Sequence, residues 1–164
     1  MSKHHRNRNW APAPQPLPED AHVIDNHTHV ASVVPFSQAM SHEAMEKGQG
    51  EVPVYSVDEL LKQAQDVGVE GVIDCGCELP NLMTAIDMAR EHPGTVHAAI
   101  AIHPNEAVLH GHRGAPGPDG LPIKYKPWHD IPFDEAMAEV HRLATTYPNQ
   151  VVALSLIHIS EPTR

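Results

Sequence analysis

The feature that most narrows the possible folds is a regular exchange of two hydrophobic periods along the chain. Val57, Leu60, Leu61, Ala64 and Val67 recur at the spacing of one helical face and Gly68 closes them. A glycine-bounded apolar run follows at 71–76, then a helical stripe of Leu82, Ala85, Ile86 and Ala89, opened by Pro80 and stopped by His92-Pro93-Gly94. Val96 to Ile102 is again apolar almost throughout. Phe133, Ala136, Met137, Val140, Leu143, Ala144 and Tyr147 rebuild a helical face ahead of Val151-Val152-Ala153-Leu154. Short runs that are apolar at nearly every position suit parallel strands covered on both sides, and the helices between them are the crossovers such strands need. With another strand at about 22–27, the chain is expected to be α/β: four parallel strands alternating with three helices.

Ser56 and Glu59 have the spacing of a capping box, so the first of these helices starts there. The segments between the periodic stretches carry the breakers. Ala31 to Tyr55 has weak periodicity with Gly48, Gly50 and Pro53, and predicts a long loop with at most a helical turn around Ser41 to Lys47. A second long loop is expected over 104–132, where glycines and prolines are too frequent for regular structure. Residues 1–20 mix basic side chains with four regularly spaced prolines from Pro12 to Pro18, and predict an extended tail ahead of a domain over 21–154.

The charge balance bears on partners. A formal net charge of -10 opposes long-range attraction to nucleic acid or anionic lipid, so contact with phosphate has to come from a local site. No run reaches membrane-spanning length, no apolar segment follows the basic N-terminus as in a secretory signal, and Cys75 and Cys77 are too few for a disulfide framework. A cytoplasmic setting is the expectation. The two cysteines read as packing residues of an apolar strand.

One polar pattern stands out against this frame. In Val23-Ile24-Asp25-Asn26-His27-Thr28-His29-Val30 the alternation of a strand turns Asp25, His27 and His29 to one face. Two neutral imidazoles then converge from neighbouring positions, the donor type and arrangement that a divalent metal needs.

Together with Asp25-x-His27-x-His29, three further pieces come in a compatible order: Gly-Val-Glu-Gly-Val-Ile-Asp-Cys-Gly-Cys-Glu at 68–78, Ala-Ile-Ala-Ile-His-Pro-Asn-Glu-Ala at 99–107, and Val-Val-Ala-Leu at 151–154. In these the chain resembles the TatD family of metal-dependent hydrolases, which are (β/α)8 TIM barrels acting as deoxyribonucleases or related phosphodiesterases. The resemblance implies the N-terminal half of such a barrel, with the metal site at the C-terminal ends of the strands. It implies that His27 and His29 ligate one or two divalent ions (magnesium, manganese or zinc), that Asp25 supports them from behind, and that His103 faces substrate, DNA or another phosphodiester. Other barrel hydrolases of the amidohydrolase type share the histidine pair and form the alternative, as does a non-catalytic α/β fragment.

The family pattern breaks after Leu154. Where the family has Gly-Glu-x-Gly-Leu-Asp, with the glutamate bridging two metals, Ser155 and Leu156 stand instead, and residues 155–164 read like translated sequencing-library adapter. The expectation is a native gene that continues differently, and a 164-residue product that lacks the later ligands and is inactive. Asp74, Glu78 and Glu106, near strand ends, are expected to be solvated or capping carboxylates rather than substitute ligands.

Overall fold

A computed structural model describes residues 17–18, 20–48, 53–117, 120 and 124–154. The 155–164 segment, and the expected tail at 1–20 apart from residues 17, 18 and 20, lie outside the described residues.

The strands are β1 (Val23–Thr28), β2 (Val69–Gly76), β3 (Val96–Ile100) and β4 (Val151–Leu154). They form one sheet in the order β1-β2-β3-β4, every neighbouring pair parallel, as the alternation of periods requires. The helices are α1 (Val30–Glu46), α2 (Val57–Asp66), α3 (Leu79–Glu91), the single turn α4 (Pro104–Ala107) and α5 (Phe133–Thr146).

The core lies between the sheet and its helices. Val96, Ala98 and Ile100 of β3, with Ile102 just past its end, cluster with Leu82, Ala85, Ile86 and Ala89 of α3 and with Ala136, Val140 and Leu143 of α5. Because a strand alternates its faces, His97, Ala99, Ala101 and His103 fall on the opposite, inner side. The register of β2 beside β3 pairs Asp74 with Ala98 and Cys75 with Ala99, which puts Cys75 on that inner side too. Small side chains there leave room for whatever the strand ends present. Gly76 is required for a different reason: a Cβ at this position would lie 2.6 Å from the Asn81 carbonyl oxygen, so only glycine lets the start of α3 close down on the end of β2.

The capping box is present in full. Ser56 Oγ accepts the Glu59 amide at 3.2 Å, and the Glu59 carboxylate accepts the Ser56 amide at 2.7 Å. Ser56→Ala is expected to cost about 1 kcal/mol, a usual loss for a side-chain N-cap, read as a lower urea midpoint at unchanged slope.

Two segments differ from what periodicity predicts. The stretch after β1 is the 17-residue helix α1, not a loop, although Pro35 inside it removes the hydrogen bond to the Ala31 carbonyl. Only Val30 and Ala44 of α1 are buried, so its apolar pattern is too weak to read. It is anchored at its start instead, where the Asp74 carboxylate accepts the Ala31 amide at 3.4 Å. The second expected loop contains α4 and a 3-10 turn, Pro127–Asp130. Each opens on a proline, which suits the first helical position because the amide it lacks has no helical partner anyway.

Candidate metal centre

The tip of β1 is fixed to β2 by side chains as well as by the ladder. Thr28 Oγ1 donates to the Ile73 carbonyl at 3.1 Å, which holds the residues on either side of Thr28 at a set height. His27 and His29 come out on one side, as strand alternation predicts, with ring centroids 5.0 Å apart and planes at 83°. Both rings turn Nδ1 toward the same residue. His27 Nδ1 lies 3.7 Å from Cys75 Sγ, and His29 Nδ1 lies 3.0 Å from the Cys75 carbonyl oxygen. A carbonyl only accepts, so His29 Nδ1 carries the proton and its Nε2 keeps a lone pair for a ligand.

Asp25 acts on this pair through the main chain. Its Oδ1 accepts the His27 amide at 3.1 Å, which stiffens the strand that carries the ring without touching the ring itself. His103 sits past the end of β3, held by its own amide donating to the Cys77 carbonyl at 2.9 Å. Its Nδ1 accepts the Asn105 amide at 3.0 Å and thereby caps α4, which places the proton of the neutral ring on Nε2.

The nearby carboxylates have other partners. Asp74 is buried under the start of α1, and burial, the largest influence, raises its pKa above the ordinary carboxylate range against the Ala31 and Val30 amides and His29. Glu78 takes a bidentate ion pair from Lys126 Nζ at 2.9 and 3.0 Å. Glu106 is buried rather than solvated, paired with His129 and Trp128. Among the described residues no three His, Cys, Asp or Glu side chains gather as a set able to hold a metal, so no third donor stands beside the imidazole pair there. Cys75 and Cys77 remain thiols near neutrality, because burial pushes both upward, Cys77 to about 11.

A family model described as TatD related DNase matches residues 24–157. The chain belongs to the TatD family. None of the curated proteins matches it. TatD proteins are TIM barrels and generally metal-dependent hydrolases of the nuclease class, so the sheet described above is a partial (β/α) barrel. The end at which His27, His29 and His103 lie is the C-terminal end of the strands, where barrel enzymes place their chemistry.

The donor chemistry suits a divalent ion as far as it goes: two neutral imidazoles, at least one with its proton held on the nitrogen away from the metal. What the TatD residues did not announce in sequence is Cys75, which reads as packing until the register of β1 on β2 is known. Lys126, Glu106 and His129 were hidden in a stretch dominated by glycine and proline.

Asp74 gives a pH-dependent expectation. Its folded-state pKa lies above its unfolded value, so its contribution to stability is fully present below the ordinary carboxylate range and is lost as pH rises through the raised value. Asp74→Asn should still accept the Ala31 amide while removing that dependence. Urea midpoints of the two proteins are expected to converge toward acid, and to diverge in favour of the asparagine variant above the carboxylate range. A wild-type stability that rises through that window relative to Asp74→Asn would contradict it.

Among the described residues no helix is long and apolar enough to cross a membrane.

Proposed function

We propose that this TatD chain serves in the metal-dependent hydrolysis of phosphodiester bonds in DNA, in the cytoplasm, with His27 and His29 as nitrogen ligands. The observation that supports this most directly is the pairing of the two imidazoles at the tip of β1, ring centroids 5.0 Å apart, with His29 Nδ1 committed to a main-chain carbonyl so that its Nε2 is the ligand atom. A divalent ion held there, magnesium, manganese or zinc, supplies Lewis acidity that activates water and offsets charge on the phosphate. The protein's part is to orient. Asp25 holds the His27 main chain, Thr28 locks the strand tip, and His103 faces the substrate from the end of β3. At a formal net charge of -10 the chain repels a polyanion at a distance, so capture of DNA has to come from local contacts at the site.

Among the described residues two imidazoles fall short of the three protein ligands that catalytic zinc sites use, and the four strands are half of the eight in a TIM barrel. Residues 1–164 alone are therefore proposed to be inactive, the remaining ligands coming from further strands in a complete TatD enzyme. The test is cleavage of single- and double-stranded DNA with added manganese or magnesium, against a chelator control, by residues 1–164 and by a chain continued to eight strands. Turnover by residues 1–164 would overturn the incompleteness. Absence of metal-dependent turnover in the folded eight-strand chain would overturn the phosphodiesterase reading.

A further inference from the structure

The Cys75 residue touches both candidate ligands through two different groups, and its side chain has no part in the proposed chemistry. It is buried, on the inner side of β2 next to the tip of β1. Its sulfur lies 3.7 Å from His27 Nδ1 and its carbonyl oxygen 3.0 Å from His29 Nδ1. The thiol hydrogen has an acceptor of its own in the Ile73 carbonyl, 3.9 Å from Sγ, so a sulfur lone pair is available to a donor on His27. The Ile73 carbonyl is also where Thr28 Oγ1 docks, so the strand segment that carries both rings is fixed two residues before Cys75.

We propose that Cys75 is a positioning residue for the metal pair: its side-chain sulfur holds the Nδ1–H tautomer of His27, and its main-chain carbonyl holds that of His29. Both rings then present Nε2 to the ion with the proton already on the far nitrogen. Hydrogen bonds behind imidazole ligands do this in metal sites generally, commonly from carboxylates or main-chain carbonyls. A thiol in that place is softer and weaker, and it acts on one ring only. The proposal rests on His27 and His29 being ligands.

A rival role is direct ligation. Metal–sulfur and metal–nitrogen bonds of about 2.3 and 2.0 Å in a tetrahedral site put the two ligand atoms about 3.5 Å apart, close to the spacing seen. It is disfavoured because the sulfur faces His27 Nδ1 while His29 has only Nε2 to give, and because no three-residue ligand set forms among the described residues.

Three measurements on the 164-residue protein decide it. Ring nitrogen chemical shifts of the metal-free protein, at a pH where both rings are neutral, report each tautomer. Wild type is expected to show Nδ1–H on both rings. Cys75→Val, similar in volume but without an acceptor, should move His27 toward Nε2–H and leave His29 unchanged, because the carbonyl at position 75 remains. Cys75→Ala serves the same comparison should the valine variant not fold. Cobalt(II) titration should give an affinity about 10- to 100-fold lower in either variant, with Cys75→Ser, which restores an acceptor, nearer wild type.

An unchanged His27 tautomer, or a His29 ring that shifts as far as His27, would overturn the proposal, as would a serine variant binding cobalt as weakly as alanine. A sulfur-to-cobalt charge-transfer band in wild type, lost in Cys75→Val, would assign direct ligation and overturn it as well. Cobalt binding of equal strength in wild type and variants defeats the positioning role alone. No cobalt binding by folded wild type defeats the ligand assignment of His27 and His29, and the positioning role with it.

Discussion

Replacing His27 or His29 by alanine in a TatD chain that carries all eight strands is expected to lower metal-dependent DNA cleavage by at least about 100-fold, the upper end of what loss of a supporting contact behind a ligand already costs. In the proposed site each imidazole contributes one nitrogen to a shared ion, so losing either should leave a site that binds the ion weakly or in the wrong place. The two changes should not add. A site that has lost one of its two histidines has little left for the second substitution to remove, and the double variant is expected to sit close to the worse single one. Raising the manganese concentration should restore part of the activity of each single variant, because the defect lies first in occupancy. Asp25→Asn should cost less, about tenfold, since Asp25 touches the His27 amide and an asparagine oxygen still accepts from it. Values of kcat/KM across a manganese series separate these cases. A His27→Ala enzyme indifferent to the substitution at every metal concentration would remove His27 from the ligand set.

How much of this was legible in the residues depends on the kind of signal each element carries. Apolar runs such as 71–76 and 96–102 specify buried parallel strands almost by themselves, and β2, β3 and β4 appear where those runs lie. Ser56 and Glu59 specify a helix start through chemistry local to four residues, and the structure has it there. Helix α1 was not legible, because what holds it is a carboxylate from β2, some forty residues away in sequence, and not a stripe of its own. The same distinction runs through the site. Strand parity at 27 and 29 placed the two imidazoles on one side, but not Asp25, which a register shift before Thr28 pairs with Val72 on the other face; the choice of Cys75 as the residue behind the rings likewise follows from the register of β1 on β2. That register is a tertiary fact. Glu106 looked like any carboxylate in a breaker-rich loop until the fold folded His129 back onto it.

The Glu106–His129 contact carries the second large effect, on stability. His129 is fully buried and accepts the Lys126 amide on Nδ1 at 3.0 Å, so its Nε2–H is the group directed at Glu106 Oε2, 2.5 Å away. The Trp128 indole N–H donates to the same carboxylate oxygen at 3.3 Å. Glu106→Ala therefore strands the His129 donor in the interior and takes the acceptor from the half-buried Trp128 indole, and with about 1–3 kcal/mol for an unsatisfied buried group and less for a half-buried one the loss is expected to be about 2–4 kcal/mol. His129→Ala leaves the carboxylate buried with the indole alone, and should cost about the same. Glu106→Gln keeps an acceptor oxygen for His129 and should fall well below either. Removing both partners together should cost less than the two single losses summed, by about 1–3 kcal/mol, because the second substitution takes away a group that the first had already left without its partner. The consequence reaches the site. The pair ties α4, which starts at the residue after His103, to the turn at Pro127–Asp130, and His110 adds an Nδ1–H bond to the Ile131 carbonyl at 2.8 Å on the same side. Loosening it frees the segment whose first turn His103 caps, so in a complete enzyme Glu106→Ala should raise KM at temperatures where the protein is still folded. Urea unfolding of the four proteins measures the cycle. A Glu106→Ala loss under about 1 kcal/mol, or single losses that simply add in the double variant, would show that apolar contacts, not this pair, hold the loop against the end of the sheet.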